Sequence, residues 1–186
     1  MRARFAARGL PTEVFASWRA SLAERPGAVP RILAWARADD GHVVGSPAVL
    51  SVGTGPGDAG DGSPGEWRHV GWHEIEHGGW NAESRSLSWT LYGGRRGRVG
   101  LADPGRLPEL FRERVAASIV VERFVPLRGD ERGATVTARR DLGGAGSVTW
   151  HSTLTRGLTW SDDVAEEVAR ASAELQSEYG TSSPGW

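Results

Sequence analysis

The sequence predicts an α+β protein in which antiparallel strands are closed by a helix and then followed by a ββα extension. The clearest strand is the run in which Leu87, Trp89 and Leu91 alternate with polar side chains. A long amphipathic segment begins at Pro108, and such a helix needs a broad apolar surface, which a half-covered sheet provides. After Pro126, apolar and polar residues alternate in two further runs, and a second segment follows whose apolar residues recur at helical spacing.

The composition excludes several kinds of chemistry. All 22 basic residues are arginine, so no lysine is present to form a Schiff base or to act as a nucleophile. The absence of cysteine excludes disulfides, thiolate catalysis and cysteine-ligated zinc. A net charge of −1 gives no general attraction to nucleic acid or to an anionic membrane.

The chain length of 186 residues fits one domain, or one domain with an appendage. The basic N-terminus lacks the apolar run of a signal peptide, and no run of the sequence is long enough to span a membrane. We therefore expect a cytoplasmic protein. The abundance of alanine, glycine and arginine without lysine is typical of a GC-rich bacterial genome.

Residues 1–29 are predicted to form a helix and a linker. Thr12 can cap a helix over residues 12–23, because Trp18 and Leu22 recur at helical spacing behind it. The arginine, proline and glycine that follow are expected to end this helix.

Residues 30–125 are predicted to form the main body, which opens with a meander of three strands. Asp39 and Asp40, followed by glycine, mark the first turn. Residues 53–66 hold six glycines and two prolines and are expected to form a surface loop. The three strands are expected at residues 31–37, 42–44 and 48–52.

The second half of this body contains further strands and the capping helix. A strand after Trp67 is expected to bend near His73. In a regular strand, Ile75 would point to the opposite face from the apolar residues Val70 and Trp72. Gly78 and Gly79 are expected to turn the chain sharply. Residues 93–97 connect to a short strand, and Pro108 is predicted at the first helical position. The apolar stripe of the helix is Leu107, Leu110, Phe111, Val115 and Ile119.

Residues 126–180 are predicted to form the ββα extension, and residues 181–186 a tail. Two alternating runs, at 133–139 and 147–154, read as a hairpin. Ser161 is expected to cap the helix that follows, with two aspartates in its first turn. The apolar face of that helix is Val164, Val168, Ala171 and Leu175.

Two motif matches point to chemistry that their surroundings do not favour. Residues 55–60 spell G-x-G-x-x-G, but glycine, serine and proline follow where the dinucleotide fingerprint needs a helix. His73 and His77 belong to an H-E-x-x-H sequence, whose zinc chemistry requires one helix to bring both imidazoles to one metal. Glycines on both sides favour a bent strand instead. We therefore predict no metal, no cofactor and no catalytic residue, and keep His73 and His77 as the alternative metal ligands of a metal-dependent hydrolase.

Arg95, Arg96 and Arg98 are the candidate binding residues. They lie on a predicted hairpin tip among glycines, where guanidinium forks and open backbone N–H groups can hold a phosphate or carboxylate. The other interpretation is a solvated turn whose charges discourage pairing between sheet edges.

The order and spacing of the elements over residues 30–124 resemble a bacterial pleckstrin-homology-like domain. The resemblance is carried by the meander with its Asp39–Gly41 turn, the Trp72, Ile75 and Trp80 step, and the helix from Pro108. It implies a bent, seven-stranded antiparallel sandwich or barrel closed by a C-terminal helix. The chain is also similar to a group of small cytosolic proteins from high-GC Gram-positive bacteria.

The resemblance implies a binding role rather than a reaction. In some eukaryotic members, a basic loop between the first two strands binds phosphoinositides, but here that turn carries Asp39 and Asp40. A lipid headgroup role is therefore not expected. The main functional expectation is a non-enzymatic binding or scaffolding module for a protein or peptide, without nucleic acid or membrane as a partner. The alternatives are the hydrolase and a small anionic-ligand binder at Arg95–Arg98.

Overall fold

The computed structural model describes residues 9–25, 27–55, 65–127, 131–144 and 146–179. These residues form an α+β structure with three α-helices and two antiparallel sheets. The chain divides into two compact units, Met1–Ser118 with Asp141–Gly146 and Ile119–Arg140 with Ser147–Trp186. None of the helices in the described ranges is both long enough and apolar enough to cross a membrane.

The first unit is built on a curled sheet of seven antiparallel strands. Its spatial order is β4-β3-β2-β1-β7-β6-β5, so β4 and β5 are its two edges. A 3-10 turn of only three residues, Trp72–Glu74, joins these edges, and the sheet therefore curls back on itself. The strands are β1 Ala34–Ala38, β2 Gly41–Gly45, β3 Val49–Thr54, β4 Trp67–Gly71, β5 Ile75–Asn81, β6 Ser86–Leu91 and β7 Arg96–Asp103.

Helices α1 (Thr12–Ser21) and α2 (Leu107–Ser118) cover opposite faces of this sheet. The neighbouring residues Val43 and Val44 show this directly, because both are fully buried although they point to opposite faces. Val43 belongs to the cluster on the concave face, which includes Phe111 of α2. Val44 belongs to the cluster on the convex face, which includes Trp18 of α1.

Trp72 is the central side chain of the concave core. It is fully buried, and its indole Nε1 donates a hydrogen bond of 3.0 Å to the carbonyl oxygen of Ser46. Its ring meets Phe111 edge to face, with centroids 6.0 Å apart. The 3-10 turn that begins at Trp72 is therefore fixed both to α2 and to the chain between β2 and β3.

The second unit is a three-stranded sheet with one helix. The sheet order is β10-β9-β8, and α3 (Asp162–Glu178) rests on it through Val164, Val168 and Leu175. Ser161 caps α3, because its hydroxyl accepts the backbone N–H of Val164. The predicted hairpin and cap are confirmed. The strands are β8 Ile119–Pro126, β9 Gly133–Arg140 and β10 Val148–Leu154.

The extent of the capping helix was predicted wrongly at its end. Helix α2 stops at Ser118, and Ile119 begins strand β8. The four-residue step from Val115 to Ile119 imitates helical spacing, but Ile119 opens a run of three β-branched residues that favours a strand. The extension therefore contains three strands rather than two, and the compact units separate at Ser118.

Three smaller corrections concern helix starts and glycines. Thr12 is the first helical residue and not a cap, since Pro11 occupies the cap position without a side-chain hydrogen bond. Pro108 lies one residue inside α2 rather than at its start. Gly78 and Gly79 continue strand β5 instead of turning the chain. At Gly78, any side chain would collide with β6 and with Phe111, so this glycine serves close packing.

Several predicted segments fall partly or wholly outside the described residues. Of the loop expected at 53–66, residues 53 and 54 end strand β3, and residues 56–64 lie outside the description. The G-x-G-x-x-G match at 55–60 and the tail at 181–186 lie outside it as well, apart from Gly55. The bend expected near His73 is confirmed and takes the form of the 3-10 turn.

Candidate functional site: an arginine cleft

An open cleft of about 610 Å³ lies between strands β3 and β4 on one side and β6 and β7 on the other. Its volume is within the range of ligand-binding sites, which hold about 300–1,000 Å³. The lining has an apolar part, formed by Val52, Val70, Trp89 and Leu91. It also has a basic part, formed by Arg25, Arg68, Arg95, Arg96 and Arg98, and we call the whole feature the arginine cleft.

Strand register explains how the apolar part is placed. Val52 lies opposite Arg68 on the neighbouring strand, so both side chains project from the same face as Val70, the concave one. On the other side, Trp89 lies opposite Gly97. The indole of Trp89 occupies the space that a Cβ atom at residue 97 would need. Glycine at this position therefore allows the indole to lie against strand β7.

The charges of the cleft are strongly unbalanced. None of its five guanidinium groups forms an ion pair with another residue of the described part of the chain. Glu74 is the single carboxylate in the lining, and it accepts the backbone N–H of Gly71 at 2.6 Å. A chain whose net charge is −1 thus concentrates positive charge around one concavity.

The two sides of the cleft contribute their arginines differently. Arg68 projects from the concave face of β4 and stands beside the apolar part. Arg98 lies opposite the exposed Ser88, and Arg96 opposite Thr90, so these two side chains project from the outer face of β7 at the rim. The cleft therefore receives Arg68 from the face that carries the apolar part, and Arg96 and Arg98 from the other face of strand β7.

Behind the cleft, a closed loop of hydrogen bonds fixes β4 to α1. The indole N–H of Trp18 donates to Ser51 Oγ at 2.9 Å, and this hydroxyl donates to His69 Nδ1 at 2.9 Å. His69 Nε2 donates to Ser21 Oγ at 3.1 Å, and Ser21 donates to the carbonyl of Trp18 at 2.7 Å. Ser21 donates its own proton to the carbonyl of Trp18, so Ser21 Oγ accepts from Nε2–H of His69, and in a neutral ring Nδ1 then accepts the proton of Ser51. With His69 neutral and its proton on Nε2, every donor in this loop meets an acceptor.

The protonation of His69 should make stability depend on pH. Burial lowers the pKa of His69, the nearby guanidinium of Arg25 lowers it further, and the contact with Ser21 acts in the opposite direction. With a folded-state pKa below the ordinary value of about 6.5, the neutral form is favoured by folding. The stabilisation is therefore present above that value and is lost as the pH falls through the folded-state pKa.

We expect the melting temperature to fall between about pH 7.5 and about pH 5, and the fall to be smaller in His69→Asn. Burial and Arg37 also lower the pKa of His42, so part of the slope should remain in that variant. The matched control is His77→Asn, which removes an exposed imidazole that lies outside the hydrogen-bond loop. An equal slope in His69→Asn and in the parent chain would contradict this assignment.

The structure brings the predicted binding residues together with others that the sequence did not indicate. Arg95 lies in the turn between β6 and β7, whereas Arg96 and Arg98 belong to strand β7 rather than to a hairpin tip. Arg25 and Arg68 join them from distant parts of the sequence. For Arg68 the sequence gives a weak indication, because it lies two positions before Val70 on the same strand and so shares the face of that residue.

The two histidines of the H-E-x-x-H sequence lie in different elements. His73 is in the 3-10 turn, and His77 lies exposed in strand β5, so the single helix that this zinc chemistry requires is not formed. His73 Nδ1 is buried without a hydrogen bond, 3.6 Å from an oxygen of Asp141, beside a smaller cavity of about 230 Å³. Among the described residues, no group of three or more metal-ligating side chains could hold a metal ion.

Comparison with known proteins found no match: no family model, no curated protein and no solved structure is similar to this chain.

Proposed function

We propose that this protein is a non-enzymatic binding module that holds an acidic segment of a protein or peptide partner in the arginine cleft. The observation that carries this proposal is the set of five guanidinium groups, without ion-pair partners among the described residues, around one concavity. Guanidinium groups bind carboxylates through paired hydrogen bonds, and such charge-assisted bonds are stronger than neutral ones.

The combination of charge with an apolar surface supports a peptide ligand over a simple ion. Val52, Val70, Trp89 and Leu91 line the same cleft as the arginines. A free anion would use only the charges, whereas a peptide that carries both acidic and apolar side chains would use both parts of the lining. Trp and Arg are also the residue types that most often dominate binding energy at protein interfaces, and the lining of the cleft combines Trp89 with the arginines.

We further propose that the body from residue 30 to Ser118 is a bacterial pleckstrin-homology-like domain. Support comes from seven antiparallel strands in succession and from a helix that follows the seventh strand directly. The curled sheet and the covering of its concave face by Leu110 and Phe111 of α2 also agree with that architecture. Fold likeness alone says little about function, so the binding role rests on the cleft.

Removing one arginine of the cleft tests the binding role. The probe is a blocked peptide that carries both glutamate and valine residues, and its affinity for the full chain is measured by calorimetry at low salt. We expect Arg68→Ala to weaken binding about tenfold, since a charge-assisted hydrogen bond contributes roughly 1.5 kcal/mol. Binding should also weaken as the salt concentration is raised from about 50 to about 200 mM.

Arg106→Ala is the matched control, because it removes an exposed guanidinium in the turn just before α2, outside the cleft. Its ion pairs with Glu109 and Glu113 lie on the surface, so the fold should tolerate the change. The proposal requires that Arg106→Ala bind the peptide like the parent chain. Equal losses in the two variants, or no binding by the parent chain, would refute it.

A further inference from the structure

Strand β4 forms one side of the arginine cleft and is also an edge of the sheet. Its one partner strand in the described part of the molecule is β3, and the register runs from Val49 opposite Gly71 to Gly53 opposite Trp67. An edge strand offers a row of free backbone donors and acceptors, to which another extended chain can add. The free edge of β4 therefore presents a second kind of binding group in the cleft.

The hydrogen bonds at both ends of β4 determine which residues face this free edge. The N–H of Thr54 bonds to the carbonyl of Glu66, and the N–H of Trp72 bonds to the carbonyl of Ala48. In an antiparallel pair, bonding to a given neighbour alternates along the strand. Even-numbered residues of β4 therefore bond to β3, and the odd-numbered ones, at positions 67, 69 and 71, direct their backbone groups outward.

A further hydrogen bond supports this assignment and leaves two residues of β4 with outward backbone groups that are unpaired among the described residues. The outward N–H of Gly71 is taken by the carboxylate of Glu74, at 2.6 Å. Trp67 and His69 remain, and in the described structure no backbone group pairs with their outward N–H and carbonyl groups. This explains how His69 lines the cleft while its side chain bonds to Ser51 and Ser21 on the other face.

We propose that the acidic partner segment binds in the arginine cleft as an added strand, antiparallel to β4, with its backbone paired to His69. This inference rests on the proposed function and adds the binding geometry and the ligand pattern. The antiparallel direction follows the rest of the sheet, in which every neighbouring pair is antiparallel. Residues directly opposite each other in such a pair can exchange two backbone hydrogen bonds.

The register then determines which ligand side chains enter the cleft. The ligand residue opposite His69 directs its side chain to the convex face, and its two neighbours direct theirs to the concave face. One neighbour lies opposite Arg68, where an acidic side chain is complementary. The other lies opposite Val70, near Trp89 and Leu91, where an apolar side chain fits. Because the strands are antiparallel, the apolar residue stands two positions before the acidic one.

The test compares three blocked peptides and one inorganic anion on the full chain. The first peptide is Thr-Thr-Val-Thr-Glu-Thr-Thr, which carries the inferred pattern. The second has the same sequence with the central amide nitrogen methylated, and the third exchanges valine with glutamate. Inorganic pyrophosphate is the probe for the charges alone.

We expect the methylated and the exchanged peptides each to bind at least about tenfold more weakly than the first. The methylated peptide lacks the backbone N–H that would pair with His69, and the exchanged peptide places valine opposite Arg68 and glutamate opposite Val70. The first peptide should also slow hydrogen exchange at the backbone amide of His69, whereas pyrophosphate should not.

The outcomes separate this inference from the proposed function. Equal binding of the first and the methylated peptide, or no slowing of exchange at His69, would overturn strand addition. Equal binding of the first and the exchanged peptide would overturn the inferred order of the two side chains. In both cases, weaker binding of pyrophosphate and peptide by Arg68→Ala would still support an anion-binding cleft. If Arg68→Ala binds both probes as the parent chain does, the proposed function fails and the inference fails with it.

Discussion

Replacing Trp72 with alanine is expected to lower the free energy of unfolding of the first unit by about 4 kcal/mol. The side chain is fully buried, so its removal forfeits the burial of a large aromatic surface and leaves a cavity against Phe111. The carbonyl of Ser46 also loses its indole donor, and an unpaired buried acceptor carries a further cost. The loss is a large fraction of the stability of a typical domain, which is roughly 5–15 kcal/mol.

Denaturant unfolding of the whole chain, followed by far-ultraviolet circular dichroism, measures this loss. The matched control is Trp160→Ala, which removes the same side chain from a site that is 55% exposed. That change should alter stability by no more than about 0.5 kcal/mol. If Trp72→Ala lowered the free energy of unfolding as little as Trp160→Ala does, Trp72 would not be the central side chain of the concave core.

Much of the fold could be predicted because its strongest signals are local. The alternation at Leu87, Trp89 and Leu91 predicts strand β6 with its correct buried face, and Leu87 and Trp89 are buried in the core. Signals that depend on distant packing were misleading. Two adjacent glycines usually mark a turn, but Gly78 is small because β6 and Phe111 lie against it. The residues next to Gly78 in sequence give no indication of this contact.

The candidate site could be predicted only in part, for a related reason. Arg95, Arg96 and Arg98 attract attention because they are neighbours in sequence. Arg25 follows the first helix and Arg68 lies on another strand, and only the curl of the sheet brings both to the same cleft. The free edge of β4 is likewise a property of the strand order, which depends on pairings across the whole first unit.

Replacing Trp18 with alanine is the second change with a large expected effect, at about 4 kcal/mol of unfolding free energy. Trp18 is fully buried in the cluster between α1 and the convex face. Its indole also begins the hydrogen-bond loop through Ser51 and His69, so its loss removes apolar burial and a buried donor together. Trp18→Phe keeps an aromatic ring without the N–H and should cost much less, about 1.5 kcal/mol.

A double-mutant cycle between Trp18→Phe and His69→Asn measures whether the loop acts as one unit. Each change breaks the same chain of donors and acceptors, so the double variant should be more stable than the sum of the two losses predicts, by roughly 0.5 kcal/mol or more. Strict additivity would mean that the indole and the imidazole stabilise the protein independently.

Because β4 is fixed to α1 through His69 and Ser21, the same variants should also loosen the strand that borders the cleft. We therefore expect Trp18→Phe to speed hydrogen exchange at the amides of β4 more than at those of β6, which α1 does not cover.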